Sequence, residues 1–299
     1  IGTGGDTMGS PSYSPSPERK GDKGLAWGDK PPGKPPLGSS LKLAFTFLTV
    51  LPMPASVSLG ERQWRRAVVL FPVVGAFMGG VLALVDFIAR LPGEEWRSAS
   101  AALVLVAYFL LTGGLHHDGL ADVADAFLGA RGREERLRIM KDSSVGAMGA
   151  ASLSLYLLLA WCLLALLPLG PGWGGYRAAS LVCVPSGGRA VMAWLCCRCR
   201  YAREEGTAGE VVSYAGPWEL AQVVLVFSVI SISSVGLVGS SFTAGLALPL
   251  VAFALAEAIV FYLERSMGGV TGDLLGASGL LTEALLLLAL ASWPVGRLP

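Results

Sequence analysis

Asp118, Asp122 and Asp125 stand at i, i+4 and i+7, a spacing that lines three carboxylates along one face of a helix. Asp142 follows in the same 25-residue window, so four of the nine aspartates in the chain gather there. Like charges at this spacing repel, so the face costs stability unless something positive sits among them. Hard oxygen ligands without a thiolate suit Mg2+, with Mn2+ as a second choice, and Mg2+ typically joins one or two carboxylates to the phosphates of a substrate. The expected site is a divalent-metal site for a diphosphate, with Asp118, Asp122, Asp125 and Asp142 as its ligands and as catalytic groups. The plain alternative is a solvated acidic face paired with Arg131, Arg133, Arg136 or Arg138. It fits a chain that avoids acids elsewhere less well than the metal reading does.

Other groups surround this window. His116 and His117 directly precede Asp118, and His116 is expected to act as a general base or as a hydrogen-bond donor to a diphosphate. His117 reads more simply as an interfacial histidine bonded to backbone. Lys141, Asp142 and Ser143 combine a cation, a carboxylate and a hydroxyl, followed by Gly146 and Gly149, where backbone can approach a phosphate or helices can pack closely. A second polar island, residues 268–273, offers Thr271 and Asp273 at the opening of a helix, where they can bind substrate or where Asp273 can serve as a cap. Arg189 lies inside an apolar stretch, where a charge is costly unless it faces a polar cavity. An anionic substrate is its expected partner, and a carboxylate such as Glu257 the alternative.

These residues must be positioned by a membrane protein. Charged residues make up 15% of the chain, 53% is hydrophobic and mean hydropathy is +0.58. A soluble domain carries about 25% charge, so an ordinary soluble enzyme is excluded. Apolar stretches at 67–89, 99–115, 146–169, 176–197, 218–240, 242–263 and 274–293 approach the roughly 20 residues a helix needs to cross a bilayer. The expected fold class is therefore all-α: a polytopic integral membrane protein of about seven transmembrane helices, preceded by a disordered polar tail. The tail, residues 1–40, is rich in Pro, Gly, Ser and Lys and lacks the apolar run of a secretory signal. The membrane-embedded domain is expected over 41–297, with 41–51 as a partial or interfacial helix.

Seven spans place twelve loop cations on one side, from Arg62 to Arg265, and four on the other: Arg90, Arg97, Arg177 and Arg297. The first set belongs in the cytoplasm, so the loops at 116–143 and 264–273 face that compartment together, across the inner membrane. A net charge of +1 without a basic stripe makes nucleic acid a poor partner. Five cysteines, three of them at 196, 197 and 199, lack the ligands for zinc and the pattern of a disulfide scaffold.

Several separate motifs, in order, resemble the adenosylcobinamide-GDP ribazoletransferase (cobalamin synthase) family. They are Gly114-Leu115-His116 with Asp118-Gly119-Leu120-Ala121-Asp122 and Asp125, then Ile139-Met140-Lys141-Asp142-Ser143 with Gly146, then Gly268-Gly269 with Thr271-Gly272-Asp273 and Gly276-Ala277. Weaker agreement at Phe47-Leu48-Thr49, Phe71-Pro72 and Gly188-Arg189 extends the similarity over about 41–290. Ala126 departs from the glycine common at that place. The resemblance implies transfer of adenosylcobinamide phosphate from adenosylcobinamide-GDP to α-ribazole or its 5′-phosphate, with release of GMP, at a lipid bilayer and beside other cobalamin-pathway enzymes. It implies catalytic roles for His116, Asp118, Asp122, Asp125, Lys141 and Asp142, and substrate contacts for Ser143, Arg189, Thr271 and Asp273. A CDP-alcohol phosphotransferase, a prenyl-diphosphate-using transferase and a transporter are the competing classes. Against the transporter, the acids cluster at one membrane edge and no internal repeat is present.

Overall fold

The computed structural model describes residues 37–53, 60–129, 132–169, 175–206, 208–239 and 241–293. Those residues form helices α1 (Leu37–Leu48), α2 (Glu61–Val69), α3 (Phe71–Ala89), α4 (Arg97–Thr112), α5 (Leu115–Gly129) and α6 (Arg133–Ile139). They continue with α7 (Ala147–Leu166), α8 (Gly175–Arg198), α9 (Ala208–Tyr214), α10 (Pro217–Ser231), α11 (Phe242–Ser266) and α12 (Gly272–Ser292). Most of the expected tail lies outside the described residues; its last four, from Leu37 to Ser40, instead form the first turn of α1.

Among the described residues six helices are long and apolar enough to cross a membrane, and the pair Glu94–Thr112 with Leu115–Gly129, apolar enough together, is bent by 91° at its break. The spans differ in how much of them faces protein. In α8 the most apolar window is 83% buried, whereas in α7 it is 28% buried, with Leu155, Leu158 and Leu159 turned outward. A soluble protein would not leave such leucines in water; here they meet lipid. The composition of α8 explains its central place, because Ala, Ser, Cys and Gly on every side let neighbours approach closely.

The tightest approach is to α3, where Gly75 and Gly79, one helical turn apart, lie on the α8 backbone. A Cβ at Gly75 would strike the Pro185 carbonyl, and one at Gly79 the Leu181 carbonyl. Ser186 donates its hydroxyl proton to the Pro72 carbonyl at 2.9 Å across the same seam. Exchange of Gly79 for Leu is expected to cost about 1–3 kcal/mol by overpacking. Thermal unfolding in detergent measures it, and an unchanged midpoint would contradict this packing.

Opposite ends of the bundle differ in their ionic content. At one end Asp86 is buried and accepts from Arg177 at 2.8 Å and from Arg90 at 2.9 Å, with the Ser100 hydroxyl on the same carboxylate. Arg97 donates to the Leu167 carbonyl at 2.7 Å. Three of the four arginines on the sparsely charged side are thus spent inside the protein, and the fourth, Arg297, lies outside the described residues. At the other end Arg133 and Arg203, from two of the remaining cationic loops, meet Met267, Ala202 and Asp273 beside α5.

Candidate active site

Two glycines aim α5. Gly113 and Gly114 take φ of 61° and 73°, left-handed values that side chains resist, so α4 stops and α5 leaves it at 91°. Helix α5 then runs against the first turns of α12 and α7 at the membrane edge. Gly119 makes the first contact possible, since a Cβ there would sit 2.8 Å from the Asp273 carbonyl oxygen.

Three loops close around the aspartate face. Residues 200–202 and 270 pair as a short parallel bridge, with Ala202 N–H donating to Val270 O at 2.9 Å and Val270 N–H to Arg200 O at 2.8 Å. Gly269, with φ of 151°, allows it, because a Cβ would strike the Arg200 carbonyl. Arg133 at the start of α6 ties both loops down, donating to Met267 O at 2.7 Å and to Ala202 O at 3.0 Å. Arg203 is thereby placed on the acids. It donates to Asp273 Oδ2 at 2.6 Å and to Met140 O at 3.2 Å, and its buried Nε has no partner among the described residues.

The expected ligands now separate by role. Asp118 is exposed and Asp122 half-buried on one face of α5. Burial first, then the charges of Asp118, Asp273 and Asp125, push the Asp122 carboxyl up to about 7 against the pull of Arg203. Asp125 is committed elsewhere: it accepts from Gly146 N–H at 2.7 Å and Gly149 N–H at 2.8 Å, capping α7 from another helix. Asp142 is fully exposed and accepts from the Ser144 hydroxyl at 2.6 Å and its N–H at 3.0 Å, bonds that hold the carboxyl below its ordinary value. Lys141 and Ser143 are exposed beside it. Thr271 is buried and caps α12, accepting from Leu274 N–H at 3.3 Å, so the cap of that helix is Thr271 and Asp273 faces Arg203. Among the described residues no three His, Cys, Asp or Glu side chains converge on one point as a finished metal cage. Of the four expected ligands, Asp125 and Asp142 carry hydrogen bonds from Gly146, Gly149 and Ser144, and Asp118 and Asp122 share the open face of α5.

His116 and Arg189 belong to a different place. Residues two apart on a helix point about 200° from each other, so His116 faces the interior while Asp118 faces out. His116 Nδ1 lies 3.1 Å from Arg189 Nη2, and since guanidinium only donates, Nδ1 accepts and the proton sits on Nε2. Arg189 is 1% exposed, ion-paired with Glu283, and donates to the Tyr108 hydroxyl at 2.6 Å, while that hydroxyl donates to Glu283 at 2.9 Å. The carboxylate partner of Arg189 is therefore Glu283, and Glu257 pairs with Arg198 at 3.0 Å. His117 packs edge-on to Tyr108 and Tyr156 within the bundle. Glu283 and Arg203 escape motif reading, although a lone acid in the apolar run of α12 is itself a signal.

Fold and site define a polytopic helical membrane protein with an acidic face held at one end by basic loops. The chain belongs to the cobalamin-5-phosphate synthase family, which it matches over residues 40–291. It is similar to the adenosylcobinamide-GDP ribazoletransferase of Chlorobaculum parvum, 38% identical over 271 residues that cover 86% of this chain and 97% of the relative. The enzymes of that name from Chlorobium phaeobacteroides (39%, covering 82% of this chain and 94% of the relative) and Klebsiella pneumoniae (34%, 83% and 97%) align over similar lengths. The resemblance drawn from the sequence motifs thus holds over nearly the whole membrane domain. No solved structure matches the chain.

Proposed function

We propose that the protein is an adenosylcobinamide-GDP ribazoletransferase, a reading carried by its match to the family over residues 40–291 together with an aspartate face at the membrane edge. A ribose hydroxyl of α-ribazole, or of its 5′-phosphate, attacks the phosphorus bonded to the cobinamide side. The bond from that phosphorus to the oxygen of GMP breaks, and GMP leaves. Asp118 and Asp122 would hold Mg2+, which would supply positive charge to the diphosphate and to the departing GMP. Two carboxylates would suffice for such an ion, because Mg2+ generally takes one or two carboxylates together with substrate phosphates and water.

Arg203 and Lys141 supply positive charge to the phosphates, Arg203 from its place against Asp273. The proton of the attacking hydroxyl passes to a carboxylate of the aspartate face. His116, turned inward onto Arg189, acts as a positioning residue for the first turn of α5. Asp125 fixes the start of α7 against α5. The loop cations orient this end of the bundle toward the cytoplasm of the inner membrane.

Purified protein incubated with adenosylcobinamide-GDP, α-ribazole and Mg2+ is expected to yield GMP and a cobalamin product in equal amounts, resolved by chromatography. Absence of both products would sink the reading. A second expectation concerns pH. Between 3.8 and about 7 the folded protein holds a proton on Asp122 that the unfolded chain has released, so stability falls as pH rises across that window and levels off above it. Mg2+ favours the ionised carboxylate and therefore stabilises the protein more at pH 8 than at pH 6. Melting curves with and without Mg2+ read this directly, and equal shifts at the two pH values would remove Asp122 from the metal site.

A further inference from the structure

A cavity of about 450 Å3 opens beside the aspartate face, lined by Leu43, Thr46 and Phe47 of α1, Trp64 of α2, Leu115 of α5, Glu210 of α9 and Gly206 in the loop before it. We propose that it is a purine subsite that takes the guanine of the nucleotide donor, an assignment that rests on the transferase reading above. The volume is that of a small-molecule pocket, mostly apolar with few polar groups.

Its position follows from two elements already tied to the acids. Leu115 lies on the same face of α5 as Asp118, Asp122 and Asp125, since positions i, i+3, i+7 and i+10 share a stripe. At 1.5 Å per residue it stands about 4.5 Å along the axis from Asp118 and about 10 Å from Asp122. Gly206 follows Arg203 by three residues in the loop that carries Arg203 to Asp273. A ligand with phosphates at Asp118 and Asp122 and a ring about a nucleoside's length away reaches the cavity at Leu115.

The chemistry of the lining selects the ring. Trp64, 5% exposed, donates its indole N–H to Glu210 Oε2 at 2.8 Å, which fixes the carboxylate at the cavity wall. Among the described residues Oε1 is then left for a ligand. A carboxylate only accepts. Guanine presents N1–H and the N2 amine side by side, two donors that a carboxylate pairs with in charge-assisted bonds. The benzimidazole of α-ribazole, with one ring nitrogen bonded to ribose, has no N–H to give. Phe47, packed edge-on against the buried Trp64, and Leu43 line the apolar side of the cavity.

Binding of GMP and IMP to the full chain in detergent, together with KM for both substrates, tests the assignment. Glu210→Gln keeps an oxygen for the Trp64 N–H but loses the charge and one acceptor. It is expected to weaken GMP by roughly 10- to 100-fold, with a smaller penalty for IMP, which lacks the N2 amine, and to raise KM for the donor but not for α-ribazole. Thr46→Trp is the second variant. Thr46 is exposed and its hydroxyl bonds only to its own helix at Lys42 O, so the exchange fills the cavity without touching Glu210; GMP affinity is expected to fall likewise. Wild-type transfer with GMP affinity unmoved by both variants, or a rise in KM for α-ribazole in place of the donor, overturns the guanine subsite alone. A wild-type protein that makes no cobalamin and binds no GMP overturns the transferase reading with it.

Discussion

Asp122→Asn is expected to lower transfer by roughly 1,000-fold while leaving the protein at least as stable as wild type. The two effects have one cause. In the protein without metal, Asp122 is crowded by the charges of Asp118, Asp273 and Asp125 and half-buried, which is why its carboxyl is pushed up to about 7. An amide of the same shape removes the repulsion and a share of the desolvation cost, so the variant loses the decline in stability that wild type shows as pH rises toward 7. The same amide carries no charge for a cation and holds Mg2+ poorly. Melting curves from pH 5 to pH 8 and GMP release at saturating Mg2+ are the two measurements. A variant that releases GMP at near wild-type rate would remove Asp122 from the chemistry, whatever its stability.

Asp125 invites comparison as a control, because it shares the stripe and also accepts two backbone hydrogen bonds from the start of α7. Its oxygens accept from Gly146 and Gly149 N–H, one each, so Asp125→Asn keeps one acceptor and turns an amide donor toward the other N–H. It is expected to loosen the start of α7, and its loss of activity should accompany a lower melting midpoint. Activity lost at unchanged stability would instead return Asp125 to the metal.

How much of this was legible in the sequence depends on the range of each interaction. The stripe of Asp118, Asp122 and Asp125 depends on helical periodicity alone and was readable, as were the spans, whose apolar length is a local property. The uses of those carboxylates depend on contacts that spacing does not encode. Asp125 caps a helix that begins 22 residues later, and Asp273 meets Arg203 across 70 residues of chain. Gly113-Gly114 marks a break, but the 91° turn that swings His116 inward and the aspartates outward is a product of where α12 and α7 stand. His116 stands two residues before Asp118, and on a helix that spacing turns the two side chains to opposite faces. Arg189 was read toward a substrate because a lone buried cation demands an anion, and the demand was correct while its source, Glu283 on α12, was hidden by a separation of 94 residues.

Arg189 and Glu283 supply the second large effect. Both are buried, and Tyr108 and His116 complete a network that joins α4, α5, α8 and α12. Glu283→Leu leaves the guanidinium without its counter-charge and is expected to cost about 3–5 kcal/mol, as is Arg189→Met. Either single variant should therefore be recovered in low yield and melt early. Apolar groups of similar volume replace a buried ion pair at little cost or with a gain, so Arg189→Met combined with Glu283→Leu is expected to recover most of the lost stability. This pair of exchanges separates two roles that a single variant confounds. If Arg189 serves the fold by holding His116 and the first turn of α5, transfer returns with stability, reduced by whatever freedom His116 gains. If Arg189 serves the substrate, the double variant folds and stays silent, and that outcome would overturn the internal pairing as the account of Arg189. The geometry favours the first result, because Nη1 is taken by Tyr108 and Glu283, Nη2 faces His116, and the residue is 1% exposed. A cation so enclosed reaches the diphosphate only through the helix it positions.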